Sequence, residues 1–217
     1  MKIGIVGAGF IGRAVARLAG AHGHDVMLSN SRHPKTLGSA AVSIGCQVGS
    51  TADAAAFGDL VLLAVPFSAL GDIAAHPFVG KVVLDANNYY PQRDGQVAAL
   101  DAHTTTTSEL TAKHLAGATI IKAFNAILER DIEKDGRAKG APDRRALPIA
   151  GDDAAAKATT IILLDELGYD TVDAGALSEG WRFERARPAY CVPLNVAALK
   201  AALAGAGRTV AEGSWRR

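Results

Sequence analysis

The chain has 217 residues, 49% hydrophobic and 21% charged, with 23 basic against 22 acidic residues for a net charge of +1. That length buries about 70% of the unfolded surface without disulfide staples, and the composition is ordinary for a soluble α/β enzyme. No basic stripe or aromatic–basic interleaving points to nucleic acid, and no run of about 18 apolar residues points to a membrane span.

Residues 2–6 are a short, β-branched apolar run, which predicts a buried parallel strand. Gly7-Ala8-Gly9-Phe10-Ile11-Gly12 follows at once and fits G-x-G-x-x-G. Ile11, Val15 and Leu18 then recur on one helical face, Gly23 suits the helix end, and residues 26–28 begin a second strand. Gly7 permits the tight turn, Gly9 the approach of a pyrophosphate and Gly12 close packing of helix on strand. The phosphates meet free N–H groups and the positive end of the helix dipole. In this strand–loop–helix–strand context the motif predicts dinucleotide binding.

The end of the second strand selects the nucleotide. An NAD-binding chain usually places Asp or Glu there to accept a bond from the ribose 2′-OH. This chain has Ser29-Asn30-Ser31-Arg32-His33-Pro34-Lys35, and Asp25 lies at the wrong end of the strand. Arg32 and Lys35 match the two charges of a 2′-phosphate, and Ser31 can donate to it, so NADP(H) is expected rather than NAD or FAD.

Further along, residues 36–44 read as a weak Ala-rich helix, 46–48 as an edge strand, and Thr51 as the cap of a helix over 52–57. Residues 60–65 are a continuous apolar strand ended by Pro66. In a doubly wound sheet its carboxyl end faces the cofactor cleft, which makes Val65, Pro66 and Phe67 candidates to line the nicotinamide half; Phe67 suits the core equally. A helix is expected over 67–75 and a strand over 82–84, with Asp85-Ala86-Asn87-Asn88 at its carboxyl end. Asn87 or Asn88 can bond a ribose or carboxamide, or simply form a turn. Residues 89–95 read as a loop beside the cleft. Thr106-x-x-Glu109 is a capping box that starts a helix near Thr107. The sixth strand is 119–123, leading to Phe124 and Asn125. Lys122 is either a hydrogen-bond donor to developing negative charge or a structural cation at the sheet end.

The pattern predicts a Rossmann-type, doubly wound, mostly parallel sheet in strand order 3-2-1-4-5-6 with a smaller C-terminal α/β part. Residues 129–143 read as an exposed loop and the boundary between 1–128, which would bind NADP, and 129–217, which would close the acceptor side and pair subunits. A strand over 147–150, a helix over 154–167 capped near Asp153, a strand over 170–174 and an apolar helix over 190–203 follow, with a loose tail at 208–217. Cys46 and Cys191 lack metal-ligand spacing and read as reduced, buried thiols. The opening strand leaves no room for a signal peptide, so a cytoplasmic location is expected.

Taken together, IGIVGAGFIG, the Ser-Arg pair in SNSR, the AVPF strand end, KAFN at 122–125, AGDD at 150–153 and DAGAL at 173–177 resemble one family over nearly the whole chain, the NADPH-dependent F-420:NADP oxidoreductases. The resemblance implies a homodimer and direct hydride transfer between nicotinamide and a small-molecule acceptor, the deazaflavin coenzyme F-420. By position it assigns Gly7 to Gly12 to the pyrophosphate, Ser31, Arg32 and Lys35 to the 2′-phosphate, Val65, Pro66 and Phe67 to the nicotinamide, and Asn87 and Asn125 to the acceptor side. The polar 87–95 loop and Trp181, Arg182 and Arg185 depart from an apolar deazaflavin pocket; they suit an anionic acceptor or a subunit interface. Other acceptors (imine, carbonyl, flavin, ferric chelate) and a non-catalytic NADP(H)-sensing module remain as alternatives. Hydride transfer demands no triad or metal site, and none is found.

Overall fold

The computed structural model describes residues 1–208. The first half alternates strand and helix: β1 (Lys2–Val6), α1 (Phe10–Ala21), β2 (Asp25–Ser29), α2 (Gly38–Ile44), β3 (Gln47–Gly49), α3 (Thr51–Phe57), β4 (Leu60–Leu63) and β5 (Val82–Asp85). Three short helices, α4 (Pro91–Asp94), α5 (Ala98–Asp101) and α6 (Thr107–His114), lead to β6 (Thr119–Lys122). Then come α7 (Glu129–Ile132), β7 (Ala146–Gly151), α8 (Ala154–Glu166), β8 (Asp170–Asp173) and α9 (Val196–Ala204).

The strands form one sheet in the order β3-β2-β1-β4-β5-β6-β7-β8. The first six are parallel, in the expected order 3-2-1-4-5-6. β7 joins β6 antiparallel and β8 pairs parallel with β7, so the C-terminal part extends the same sheet.

Strand alternation divides the core. Ile3, Ile5, Leu60, Leu62, Leu84 and Ile121 face one layer, with Val15 and Leu18 of α1 and Leu163 and Leu164 of α8. Val6, Val61, Leu63, Val83 and Ile120 face the other, with Ala54 and Ala55 of α3. Both faces are covered, which is why these strands read as unbroken apolar runs. Gly4 sets the approach of α3, since a Cβ there would lie 1.9 Å from the Ala54 carbonyl oxygen. A third cluster, with Val172, Phe183, Leu199 and Leu203, seats α9 on the outer strands.

Several expected elements are corrected. Ser50, not Thr51, caps α3: its hydroxyl accepts from Asp53 N–H at 3.1 Å, and Asp53 returns a bond to Ser50 N–H at 2.9 Å. Residues 67–75 form a 3₁₀ turn, Phe67–Asp72, because Gly71 and Pro77 leave too short a stretch for an α-helix. Residues 36–44 divide into a 3₁₀ turn, Pro34–Leu37, and α2. The 60–65 strand stops at Leu63. The final helix starts at Val196 rather than 190: Cys191 has φ +56°, Pro193 lacks an N–H, and Asn195 supplies the cap, its side chain accepting from Ala198 N–H at 3.0 Å. The 129–143 segment is not simply exposed, since Ile132 of α7 is fully buried and Arg17 of α1 bonds Glu133 at 2.7 Å. Cys46 and Cys191 are free and half-buried. The tail at 209–217 lies outside the described residues, whereas Arg208 donates to the His103 carbonyl at 3.0 Å.

Because Ser50 closes a reciprocal cap, Ser50→Ala is expected to lower stability by about 1 kcal/mol, and Thr51→Ala by less than about 0.5 kcal/mol. Urea denaturation of the two variants checks the order; a larger loss from Thr51→Ala would overturn this cap assignment.

Candidate active site

The candidate site lies at the carboxyl ends of β1, β2, β4 and β5, where the glycine loop turns into α1. Gly7 has φ +113° and its N–H donates to the Ser29 carbonyl at 3.1 Å, which fixes the turn against β2. A Cβ on Gly7 would lie 2.1 Å from Ala64 O, and one on Gly12 only 1.9 Å from Gly7 O. Gly9 differs: it has ordinary extended geometry, φ −76° and ψ −167°, and nothing stands within 4 Å of an added Cβ. Gly7 and Gly12 are therefore demanded by packing, and the open space is at Gly9. No side chain caps α1, and Arg13 N–H makes its bond to Gly9 O at 3.0 Å, so the amides of the preceding turn lack intrahelical partners. Ala8 and Ile11 are half-buried at the turn, and Phe10 stands 82% exposed beside it.

Ser31, Arg32 and Lys35 are exposed just beyond β2. Asn30 braces this loop instead of pointing free: its amide donates to Thr36 Oγ1 at 3.0 Å and its carbonyl accepts from Arg32 N–H at 3.0 Å. Pro34 starts the 3₁₀ turn that carries Lys35, capped by the His33 ring. No carboxylate occupies the 29–37 segment. An uncapped helix start, space at Gly9 and two exposed cations at the β2 end fit a dinucleotide with a 2′-phosphate.

A cleft of about 670 Å³ runs from this loop between Val65-Pro66 and residues 87–93, with Gly9, Phe10 and Ile11 on one side and Asn88, Tyr90 and Arg93 on the other. Asn87 is 2% exposed and its side-chain carbonyl accepts from Val65 N–H at 3.0 Å, which ties the β5 end to the β4 end. Its amide nitrogen is buried without a partner among the described residues. Phe67 does not reach the cleft wall; its ring is buried in the core, edge-on to Tyr89 at 6.1 Å. Asp94 stiffens the far wall, accepting from Tyr90 and Ser68 N–H and pairing with Arg93 at 2.8 Å. Burial raises the Asp94 carboxyl, but these bonds outweigh it and hold it below its ordinary range. Tyr90 is flanked by the guanidinium groups of Arg93 and Arg185, at 4.7 and 4.8 Å from its ring centre, and its hydroxyl bonds that of Tyr190.

Behind the cleft lies a polar hub that sequence reading did not assemble. Lys122 is fully buried. Its ammonium donates to Thr107 Oγ1 at 2.8 Å and Ser108 Oγ at 3.2 Å. Thr107 in turn donates to Glu184 at 2.7 Å and Ser108 to Asp85 at 2.6 Å, while the Asn87 carbonyl accepts from Lys122 at 3.3 Å. Burial pushes Asp85 up from its ordinary value against the pull of Lys122. Burial acts the same way on Glu184, but there Lys122 and Thr107 win and hold it below its ordinary value. One legible signal was the pairing of Asp85 with Lys122 in adjacent strands, two charges closing two apolar runs. Asn125 is buried beside the hub, its amide donating to Phe183 O at 3.0 Å and Asn88 Oδ1 at 3.2 Å. Trp181, Arg182 and Arg185 lie outside the set of residues lining the cofactor-side cleft. Among the described residues no group of His, Cys, Asp and Glu could hold a metal, and no helix is long and apolar enough to cross a membrane.

Residues 2–89 match the model of a family described as NADP oxidoreductase, coenzyme F-420-dependent. A protein of Escherichia coli named YjhV is 34% identical over 61 residues, 28% of this chain and 44% of its own length, so the match spans less than half of that relative. A crystal structure of a hypothetical protein from Sinorhizobium meliloti is 27% identical, covers 89% of this chain and 94% of its own, and superposes with a TM-score of 0.77. A candidate F-420-dependent NADP-reductase from Arthrobacter sp. FB24 is 28% identical over 81% of this chain and 85% of its own, with a TM-score of 0.69.

Two outcomes follow from this geometry. Gly9→Ala is expected to keep the unfolding midpoint but weaken NADPH binding at least about tenfold, whereas Gly12→Ala lowers the midpoint itself; calorimetry and fluorescence titration separate them. Glu184, held below the ordinary glutamate value by Lys122 and Thr107, contributes stability above the ordinary carboxylate range and loses it as the pH falls through its lowered value. Glu184→Gln is thus expected to be less stable than the parent at neutral pH, the gap closing as the pH falls below the ordinary carboxylate range and the parent's carboxylate protonates. A gap constant with pH would show that the charge plays no part.

Proposed function

We propose that the chain, whose residues 2–89 match the model of the coenzyme F-420-dependent NADP oxidoreductases, belongs to that family and is an NADPH-dependent reductase that delivers hydride to a small acceptor held in the cleft between Val65-Pro66 and the 87–93 segment. The observation that carries the reading is the pairing of an open, uncapped glycine turn at Gly9 with Ser31, Arg32 and Lys35 exposed at the β2 end, where no carboxylate stands.

In this reading the amides after Gly9 hold the pyrophosphate, and Arg32, Lys35 and Ser31 clamp the 2′-phosphate. Asn30 acts indirectly, bracing the loop. Val65 and Pro66 shape the nicotinamide slot. The unpartnered Asn87 amide supplies a donor to the carboxamide or ribose, because a buried N–H without a partner is costly until a ligand satisfies it. Phe67 supports the slot from the core. NADPH, when bound, supplies the hydride; the chain contributes orientation and exclusion of water. Lys122 and Asn125 are positioning groups, since each is buried and bonded to protein partners. Residues 1–128 carry the cofactor, and 129–217 complete the acceptor side and a homodimer.

Coenzyme F-420 or a flavin-like molecule is the first acceptor, on the strength of the family. A second reading rests on the polar far wall: Asn88, Tyr90 and Arg93 suit a small carbonyl or imine at least as well as a flat deazaflavin ring.

NADPH is expected to bind at least about tenfold more tightly than NADH (about 1.4 kcal/mol), and Arg32→Ala to erase the preference, read by fluorescence titration. Equal binding of NADH by the parent chain would sink the 2′-phosphate assignment. With binding established, loss of the visible absorbance of F-420 under NADPH tests the acceptor; turnover of small imines or carbonyls alone would favour the second reading, and no turnover with any acceptor would favour a sensing module.

A further inference from the structure

The 88–93 segment has two sides. Tyr90 is extended, at φ −131° and ψ 101°, and its neighbours alternate. Asn88, Tyr90, Gln92 and Arg93 line the cofactor-side cleft. Tyr89 and Pro91 line a second cavity of about 250 Å³, whose other walls include Leu100, Trp181, Arg185, Arg187 and Arg208. The segment is therefore a partition, and a molecule in the second cavity does not meet the nicotinamide slot.

The chemistry of this cavity is one-sided. Arg187 and Arg208 make no ion pair with a carboxylate among the described residues; Arg187 donates to the Arg208 carbonyl at 3.1 Å and Arg208 to the His103 carbonyl at 3.0 Å. Both guanidinium groups lie over the Trp181 ring, at 5.5 and 4.7 Å from its centre. Trp181 is only 9% exposed, and its indole N–H is buried without a partner, as is the Nε of Arg187. Every orphaned polar atom of this wall is thus a donor. Two carboxylates also border the cavity, but both are engaged: Glu184 with Thr107 and Lys122, and Asp101 with the Tyr89 hydroxyl at 2.9 Å. Burial pulls the Arg187 guanidinium below its ordinary value, and the neighbouring Arg208 adds to that pull against the attraction of Glu184. Tyr89, Pro91, Leu100 and the Trp181 ring give the cavity its apolar surface, beside the polar Arg185, His103, Thr105 and Thr107.

We propose that this cavity is a second ligand site, which takes a small organic carboxylate with its apolar body against Trp181, Tyr89 and Leu100 and its carboxylate against Arg187 and Arg208. Guanidinium groups recognise carboxylate and phosphate alike, but the apolar walls favour an organic acid over a bare inorganic anion. Since Tyr89 and Tyr90 are neighbours on opposite sides of the partition, an occupant of this cavity presses on the wall of the cofactor-side cleft.

The test is isothermal titration of the full chain with benzoate and, separately, with inorganic phosphate. Benzoate is expected to bind saturably and more tightly than phosphate. Arg208→Gln, an exposed position whose folding is checked by its melting curve, is expected to weaken benzoate at least about tenfold and to leave NADPH binding unchanged. Arg32→Ala is expected to leave benzoate binding unchanged. No saturable benzoate binding, equal binding by Arg208→Gln, or loss of benzoate binding in Arg32→Ala would each overturn the proposal, the last by placing the acid in the dinucleotide site. Phosphate binding as tightly as benzoate would overturn the organic-acid assignment. None of these results depends on the NADPH preference, so this proposal and the functional reading fail separately.

Discussion

A lysine with no exposed surface sits where β5 and β6 end, and its ammonium is answered in both directions by a hydroxyl and then a carboxylate: Thr107 and Glu184 on one side, Ser108 and Asp85 on the other. Burying an ammonium costs several kcal/mol unless its partners are complete. The partners here come from β5, from the first turn of α6 and from the segment after residue 183. The charge therefore cannot be accommodated unless these pieces of chain are in register. Gly180 is part of that fit, because a Cβ there would lie 2.7 Å from Lys122 Cδ. The capping box of Thr106 and Glu109 aims Thr107 and Ser108 at the ammonium by fixing where α6 starts.

This hub reaches the candidate site through Asn87. Asp85 accepts from the Asn87 N–H at 3.0 Å, Lys122 donates to the Asn87 carbonyl, and the Asn87 side chain holds Val65 N–H. The strand ends on both sides of the cleft are thus fixed by one buried polar network, and one amide nitrogen of that network, on a residue that lines the cleft, has no partner among the described residues. Buried polar networks of this kind rigidify their surroundings. An enzyme whose chemistry belongs to its cofactors needs this from its scaffold: a slot of fixed width, and few catalytic side chains.

The glycine loop works by a different constraint. Gly7 and Gly12 are required by backbone atoms that already crowd them, whereas Gly9 is not crowded at all. A motif that looks uniform in sequence therefore contains two packing residues and one space. The space faces an uncapped helix start, and the cations of the β2 end stand beyond it, so attraction for a negatively charged ligand is built from backbone and side chains together.

The sequence by itself determined the parallel sheet, its order through six strands, the glycine turn, the absence of a carboxylate at the β2 end and the capping box at Thr106. All of these are local: strand periodicity, a spacing of glycines, a cap three residues from its partner. Boundaries that depend on competing local signals were less legible, as at Ser50, where the hydroxyl one residue earlier takes the cap, and at residues 190–195, where Pro193 and the positive φ of Cys191 delay the last helix. Only the tertiary structure decided that β7 turns back to extend the sheet, that Phe67 belongs to the core, that Lys122 is a hub, and that Trp181 gathers Arg187 and Arg208 on the far side of the partition. Glu184 and Lys122 are 62 positions apart, and Tyr89 and Arg208 are 119. Contacts across such distances leave no periodic trace in the chain, because which face meets which is set by packing rather than by any residue's neighbours.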